Sequence, residues 1–343
     1  MKKIRVLIVD DSLFMRAAIA KTLTTAGFDV VGQAKDGNDG LAQILKLKPD
    51  VVTMDFNMPG MNGADTVRAV MQAHPTPVVM FSAHTKQGAK ETFDALAAGA
   101  VDFVTKPAGE VSVDLSKIAD DLITKVTAAA GARPRAASMV APVRNSGTMN
   151  AMRTPLPLGA PRLCVIAVST GGPAALSEVV PALPGELKLA IVIVQHMPAG
   201  FTTALAERLD AASRVHVREA VTGDRPMPGA VLIAPGDRHL EFDERGFVVL
   251  SDGPTVNGCR PAADVTMISA AKVYERRALA VVMTGMGKDG AAGALAIKRV
   301  GGKTLAQDQA TSVIYGMPKA AIDAGAIDEV SALGDIAAWL RYA

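Results

Sequence analysis

Ser169, His196 and Asp289 have the residue types and settings that could carry chemistry in the C-terminal half of this 343-residue chain. Ser169 lies in "LCVIAVSTGGPAAL" (163–176), where an apolar run ends in a hydroxyl pair, two glycines and a proline before a helical pattern begins. His196 directly follows the apolar run "LAIVIVQ" and precedes Met197-Pro198. Asp289 lies in the glycine-dense loop of "LAVVMTGMGKDG". An imidazole can take a serine's proton, and a carboxylate can hold that imidazole in one tautomer, so the three form a nucleophilic triad if the fold gathers them. Backbone N–H groups of the loop around Met286 could then face an oxyanion. Taken singly, each residue has a plainer reading: Ser169 or Thr170 as a helix cap, His196 as a packed loop residue, Asp289 as another N-cap. Their joint placement at three strand ends, in turns marked by glycine or proline, favours the triad. A phosphate loop is the other reading of 163–176. However, "STGGP" lacks the glycine spacing of a dinucleotide site, and "VMTGMGKDG" (282–290) has Val282 and Asp289 where a Walker loop needs glycine and a hydroxyl.

A second set of polar residues marks the N-terminal half. Asp10 and Asp11 end the first apolar run, Asp55 the third and Ser82 the fourth, and Lys106 follows the fifth and precedes Pro107. In a parallel sheet these positions share one edge. Three crowded carboxylates repel one another unless a cation joins them, and a hard divalent ion such as Mg2+ suits an all-oxygen set. One carboxylate could then attack phosphorus, with Lys106 facing the developing phosphoryl charge and Ser82 bonding the product's oxygens.

The elements that must position both sets are legible as apolar runs. "IRVLIVDD", "DVVGQA", "VVTMDF", "PVVMFSA" and "DFVTKP" read as buried parallel strands alternating with helices. The expected fold is α/β, two doubly wound parallel-sheet domains. The first, flavodoxin-like, spans 1–126, and the second, Rossmann-like, spans 162–343. In the second, "LCVIAVS", "LAIVIVQH", "VHVREA", "AVLIAPG" and "LAVVMTG" are strand candidates, and "HLEFDERGFVVLSD" is a hairpin turning near Glu244–Gly246. Residues 127–161, rich in Ala, Pro and Gly and with four arginines and no acid, read as a linker. A chain 49% hydrophobic and 20% charged can fill two cores, and a net charge of +2 points to neither nucleic acid nor membrane. Two cysteines make no disulfide framework, the basic N-terminus lacks a long apolar stretch, and no run nears the ~18 apolar residues of a membrane span. A cytoplasmic protein without membrane insertion is expected.

The segments "VDDS…MDFNMPGMNG…FSAH…FVTKP" closely resemble a response-regulator receiver domain. That resemblance implies that Asp55 accepts phosphate from a histidine kinase, with Asp10 and Asp11 helping to hold Mg2+. Phe103 matches the aromatic that changes rotamer on activation. "AVSTGGP", "VQHMP", "RPAAD", "MTGMGKDGAAG" and "TLAQDQAT…YGMP" resemble the catalytic domain of the CheB family, the methylesterases of bacterial chemotaxis. Ala262 and Met267 stand where that family often has Ser and Phe. The resemblance implies Ser169 as nucleophile, His196 as base and acid, Asp289 as orienter, Met286 as an oxyanion donor, and Thr170 beside the nucleophile, with no cofactor at the triad. It implies demethylation of glutamate γ-methyl esters on chemoreceptors, with methanol released, and deamidation of receptor glutamines. A phosphoacceptor domain tethered in cis to a hydrolase leads to the expectation that the receiver packs across the catalytic groove and that phosphorylation at Asp55 weakens that packing; a monomer recruited to receptor clusters is expected. One alternative is a phosphorylation-dependent docking module whose hydrolase site is vestigial. A DNA-binding regulator fits poorly, because the C-terminal half carries neither a helix-turn-helix pattern nor a basic stripe.

Overall fold

In the computed structural model, residues 3–83, 85–106, 118–132 and 162–343 are described. The chain divides into two compact units, Met1–Met139 and Val140–Ala343. In the first, β1 (Arg5–Val9), β2 (Asp29–Ala34), β3 (Val51–Asp55), β4 (Val78–Ala83) and β5 (Asp102–Lys106) form one parallel sheet of order β2-β1-β3-β4-β5. Helices α1 (Leu13–Thr25), α2 (Gly37–Leu47), α3 (Gly63–Ala73), α4 (Lys86–Ala98) and α5 (Ala119–Ala130) alternate with the strands. All five apolar runs are therefore strands. The central ones are buried at nearly every position, because helices on both faces leave no solvent side to alternate toward. Strand order reverses between β1 and β3, which opens a crevice at their carboxyl ends.

Helix α5 extends four residues into the stretch read as a linker. The alanines of "TAAA" have high helix propensity, which carries the helix past the point where the apolar period ends. Residues 133–161, with the four linker arginines, lie outside the described residues, as do His84 and Pro107.

The second unit is built on a seven-stranded parallel sheet of order β14-β13-β12-β6-β7-β9-β8. Its strands are β6 (Arg162–Val168), β7 (Leu189–Gln195), β8 (His216–Glu219), β9 (Ala230–Ile233), β12 (Ala278–Val282), β13 (Lys303–Gln307) and β14 (Glu329–Ser331). The hairpin forms a separate antiparallel pair, β10 (His239–Phe242) with β11 (Val248–Ser251). Among the described residues, six α-helices complete the unit: α6 (Gly172–Val179), α7 (Phe201–Ala212), α8 (Ala263–Tyr274), α9 (Ala291–Arg299), α10 (Met317–Asp323) and α11 (Leu333–Tyr342). Two strands escaped the sequence reading. "KTLAQ" has little apolar bulk and "EVS" is three residues long, so neither carries a period; pairing with β12 and then β13 makes them strands.

β6 is central, with Leu163 to Val168 fully buried. Its neighbours are β7 and β12, and the connections leave in opposite directions on the two sides. A crevice therefore opens at the carboxyl end of β6.

Candidate active site and phosphoacceptor pocket

Ser169 is the first residue beyond β6. Its N–H donates to the Thr284 carbonyl at 3.0 Å, and the His196 N–H donates to the Val168 carbonyl at 3.2 Å. The register pairs Val168 with Gln195, so Ser169 and His196 leave adjacent strands side by side, about 5 Å apart along the hydrogen-bond direction. The turn that follows needs glycine. Gly171, at φ 77°, is the N-cap of α6, and no side chain caps that helix, so neither Ser169 nor Thr170 serves as its cap. Ser169 is half-buried and Thr170 buried. On the other side, Gly285 packs directly on Ser169: a Cβ there would stand 2.8 Å from Ser169 Cβ and 2.3 Å from Met317 Sδ. Met286 follows in the chain and is exposed.

Asp289 is buried and receives four hydrogen bonds. His196 Nε2 lies 2.7 Å from Oδ2, and the Ala263 N–H donates to the same oxygen at 2.6 Å. The Asp264 N–H donates to Oδ1 at 3.0 Å and the Asn257 side-chain amide at 3.1 Å. Two of these donors are the first N–H groups of α8, so the carboxylate sits at a helix N-terminus. Asp264 returns the arrangement: its Oδ1 accepts the N–H groups of Gly290 and Gly293 at the start of α9. Burial opposes ionisation of Asp289, yet the His196 and backbone hydrogen bonds outweigh it and hold the carboxyl below its usual range. Burial likewise opposes charge on His196, but the hydrogen bonds to Asp289 and Cys259 raise it to about 9. With Nε2 bonded to Asp289, Nδ1 faces Cys259 Sγ at 3.5 Å.

Sequence reasoning missed Asn257, Cys259 and Asp264. The first two belong to the turn "VNGC" (256–259), in which the Val256 and Cys259 backbones bond to each other at 3.0 and 2.9 Å. Asn257 (φ 54°) and Gly258 (φ 77°) both have positive φ, as a two-residue I′ turn requires. The Asn-Gly pair was the available signal.

In the first unit, the acidic set and Lys106 gather at the β1–β3 crevice. Asp10, Asp11 and Asp55 each offer an oxygen within 4.8 Å of the others. Lys106 Nζ lies 2.8 Å from Asp55 Oδ2 and 3.6 Å from Asp10 Oδ2. Asp10 and Asp55 are buried and Asp11 is exposed. Asp10 Oδ2 has no hydrogen-bond partner among the described residues. A buried carboxylate oxygen without a hydrogen bond, in a cluster of three carboxylates, fits the donor set of a hard divalent cation. Burial raises Asp55 against the pull of Lys106. Burial also raises Asp10, from 3.8 to about 6, with Lys106 opposing and Asp55 adding to the rise. The folded protein thus keeps a proton on Asp10 that the unfolded chain has shed, so stability falls as pH rises across that window. A divalent cation should reverse the loss. Mg2+ is expected to raise the melting temperature of the full chain more at pH 7 than at pH 4.5, and EDTA to abolish the difference, in scanning calorimetry.

Ser82 and Phe103 are placed differently from the acids. The Ser82 hydroxyl donates to the Gly88 carbonyl at 3.1 Å and accepts from Thr92 Oγ1 at 2.5 Å, so α4 occupies it. Phe103 is buried, with Lys125 Nζ 5.2 Å above its ring.

No helix among the described residues is long and apolar enough to cross a membrane. The family model for CheB methylesterase matches residues 164–340, and that for the response regulator receiver domain matches 6–115. A Symbiobacterium thermophilum protein named protein-glutamate methylesterase/protein-glutamine glutaminase is 47% identical over 98% of this chain and 96% of its own length. A Pyrococcus abyssi protein of the same name is 44% identical over 98% of this chain and 92% of its own. The crystal structure of the Thermotoga maritima CheB methylesterase catalytic domain covers 53% of this chain and 98% of that one, at TM-score 0.52 and 44% identity. With both regions matched in order and relatives aligned along nearly its whole length, the chain belongs to the CheB methylesterase family and carries a response regulator receiver domain ahead of the methylesterase region.

Proposed function

We propose that this chain is a phosphorylation-activated protein-glutamate methylesterase and glutaminase acting on chemoreceptors, with Ser169, His196 and Asp289 as its triad. The observation that carries this reading is the 2.7 Å His196–Asp289 hydrogen bond beside Ser169 at the end of the central strand. Ser169 Oγ attacks the γ-ester carbonyl while His196 Nδ1 takes its proton. Backbone N–H groups beside Met286 face the oxyanion that forms. The intermediate collapses, the C–O bond to the methoxy group breaks, and His196 returns the proton so that methanol leaves. Water then attacks the acyl-serine, losing a proton to His196, which gives it back to Ser169 Oγ as glutamate departs. A glutamine substrate follows the same route with ammonia as the leaving group. Thr170 braces the nucleophile turn, since its carbonyl accepts the Thr284 hydroxyl at 3.0 Å.

In the receiver unit, Asp55 attacks the phosphorus of a phosphohistidine on a histidine kinase. The P–N bond breaks and an acyl phosphate forms, with Lys106 against its oxygens. Asp10, Asp11 and Asp55 would hold Mg2+, which supplies positive charge beside those oxygens when bound. Ser82 must leave Gly88 to meet the phosphoryl group, and Phe103 is the side chain placed to respond. Residues 1–126 serve as regulator and 162–343 as hydrolase, the stretch between them as tether, and the enzyme works as a cytoplasmic monomer at receptor clusters.

The test is mass spectrometry of a methylated chemoreceptor fragment incubated with the full chain, with and without a phosphate donor. Loss of 14 mass units per site (one CH2) and free methanol are expected, faster with the donor. An unchanged fragment overturns the reading.

A further inference from the structure

The resting partner of His196 Nδ1 is not Ser169. Among the described residues no hydrogen bond joins the Ser169 hydroxyl to the imidazole, whereas Cys259 Sγ lies 3.5 Å from Nδ1. Cys259 is half-buried and reaches the ring from the tight "VNGC" turn. The same turn sends the Asn257 amide to Asp289 at 3.1 Å and to Asp264 at 2.8 Å. One two-residue turn therefore touches both the base and its orienting acid.

We propose that Cys259 is a positioning residue for His196: its sulfur accepts the Nδ1–H, holds the ring in a resting form, and must be exchanged for the Ser169 hydroxyl before chemistry begins. The inference rests on the triad assigned above and adds a competitor for its proton-accepting nitrogen. Asp289, ionised and bound to Nε2, requires that nitrogen to carry a proton. A second acceptor at Nδ1 then favours the imidazolium, which cannot act as a base. Among the described residues, the titratable groups facing the ring are Asp289 from the loop after β12 and Cys259 from the turn. Asp264, at the start of α8, is joined to Asp289 through Asn257. From the strand ends that flank the ring, Val168, Ser169 and Gln195 add no charge. The raised His196 value agrees with this arrangement, with Cys259 contributing after Asp289.

The experiment pairs two readouts on the full chain: NMR titration of the His196 ring, and methanol release as a function of pH. In wild type the titration midpoint and the acid limb of the rate profile should both lie above the ordinary histidine value. Cys259→Ala should move both down by about one pH unit, and raise the rate below the limb by up to about tenfold. Cys259→Ser, which keeps an acceptor but carries it on a shorter bond from Cβ and so farther from Nδ1, should fall between. A midpoint unchanged or higher in Cys259→Ala overturns the inference. Methanol release that survives Ser169→Ala overturns the triad assignment instead, and the NMR titration, which needs no turnover, tells the two failures apart.

Discussion

Ser169→Ala is expected to lower kcat for methanol release by about 10⁴-fold or more, with KM little changed. In the proposed mechanism the hydroxyl supplies the bond that forms in the first step, and an alanine methyl group cannot form it. The substitution should leave the fold intact. Ser169 is held through its backbone, by the N–H to Thr284 and by a carbonyl that accepts from Gly172 at 2.8 Å and from Gln195 at 3.0 Å. Loss of the hydroxyl therefore breaks no bond of the resting structure among the described residues, and the stability change should stay within about 0.5 kcal/mol. Kinetics on a methylated receptor fragment, with a melting curve on the same preparation, make the check. More than a tenth of wild-type turnover in the variant would remove Ser169 from the mechanism.

Asp55→Asn is expected to abolish phosphate incorporation entirely and to make esterase activity indifferent to a phosphate donor. An amide cannot form the acyl phosphate. The substitution also withdraws the charge that Lys106 pairs with at 2.8 Å. It relieves one source of the raised Asp10 value, because Asp55 pushes Asp10 upward by repulsion. The variant should thus fold at least as well as wild type while losing its chemistry. Intact-mass measurement after incubation with a small-molecule phosphate donor reads the result. Label retained in the variant would shift the acceptor to Asp10 or Asp11.

Most elements, and the strand-end placement of the candidate site residues, were legible because they rest on local signals. Buried parallel strands are unbroken apolar runs, and in such a sheet the residue after the run has only one place to go, the carboxyl edge. That rule alone put Asp55, Ser169 and His196 on their rims. The support for Asp289 was not legible in the same way. Its hydrogen-bond donors Ala263, Asp264 and Asn257 lie 26, 25 and 32 residues away along the chain. No short-range period records a helix N-terminus folded back onto a later loop. "RPAAD" was noted for its likeness to a family pattern, but its acid belongs to the reciprocal capping of α8 and α9. Cys259 drew attention only as one of two thiols.

By itself, the sequence determined two α/β units, the edges on which their polar residues lie, and the residue types that could act there. The tertiary structure decided which neighbours meet. Strand order reverses between β1 and β3 in one sheet and between β6 and β12 in the other, and each reversal opens a crevice where residues from distant segments converge. It also decided that His196 turns Nε2 to Asp289 and Nδ1 to Cys259. The reason is physical: a strand's direction and burial follow from its own apolar pattern. The partner of a side chain depends on crossovers, caps and turns that are fixed only when the whole sheet closes around them.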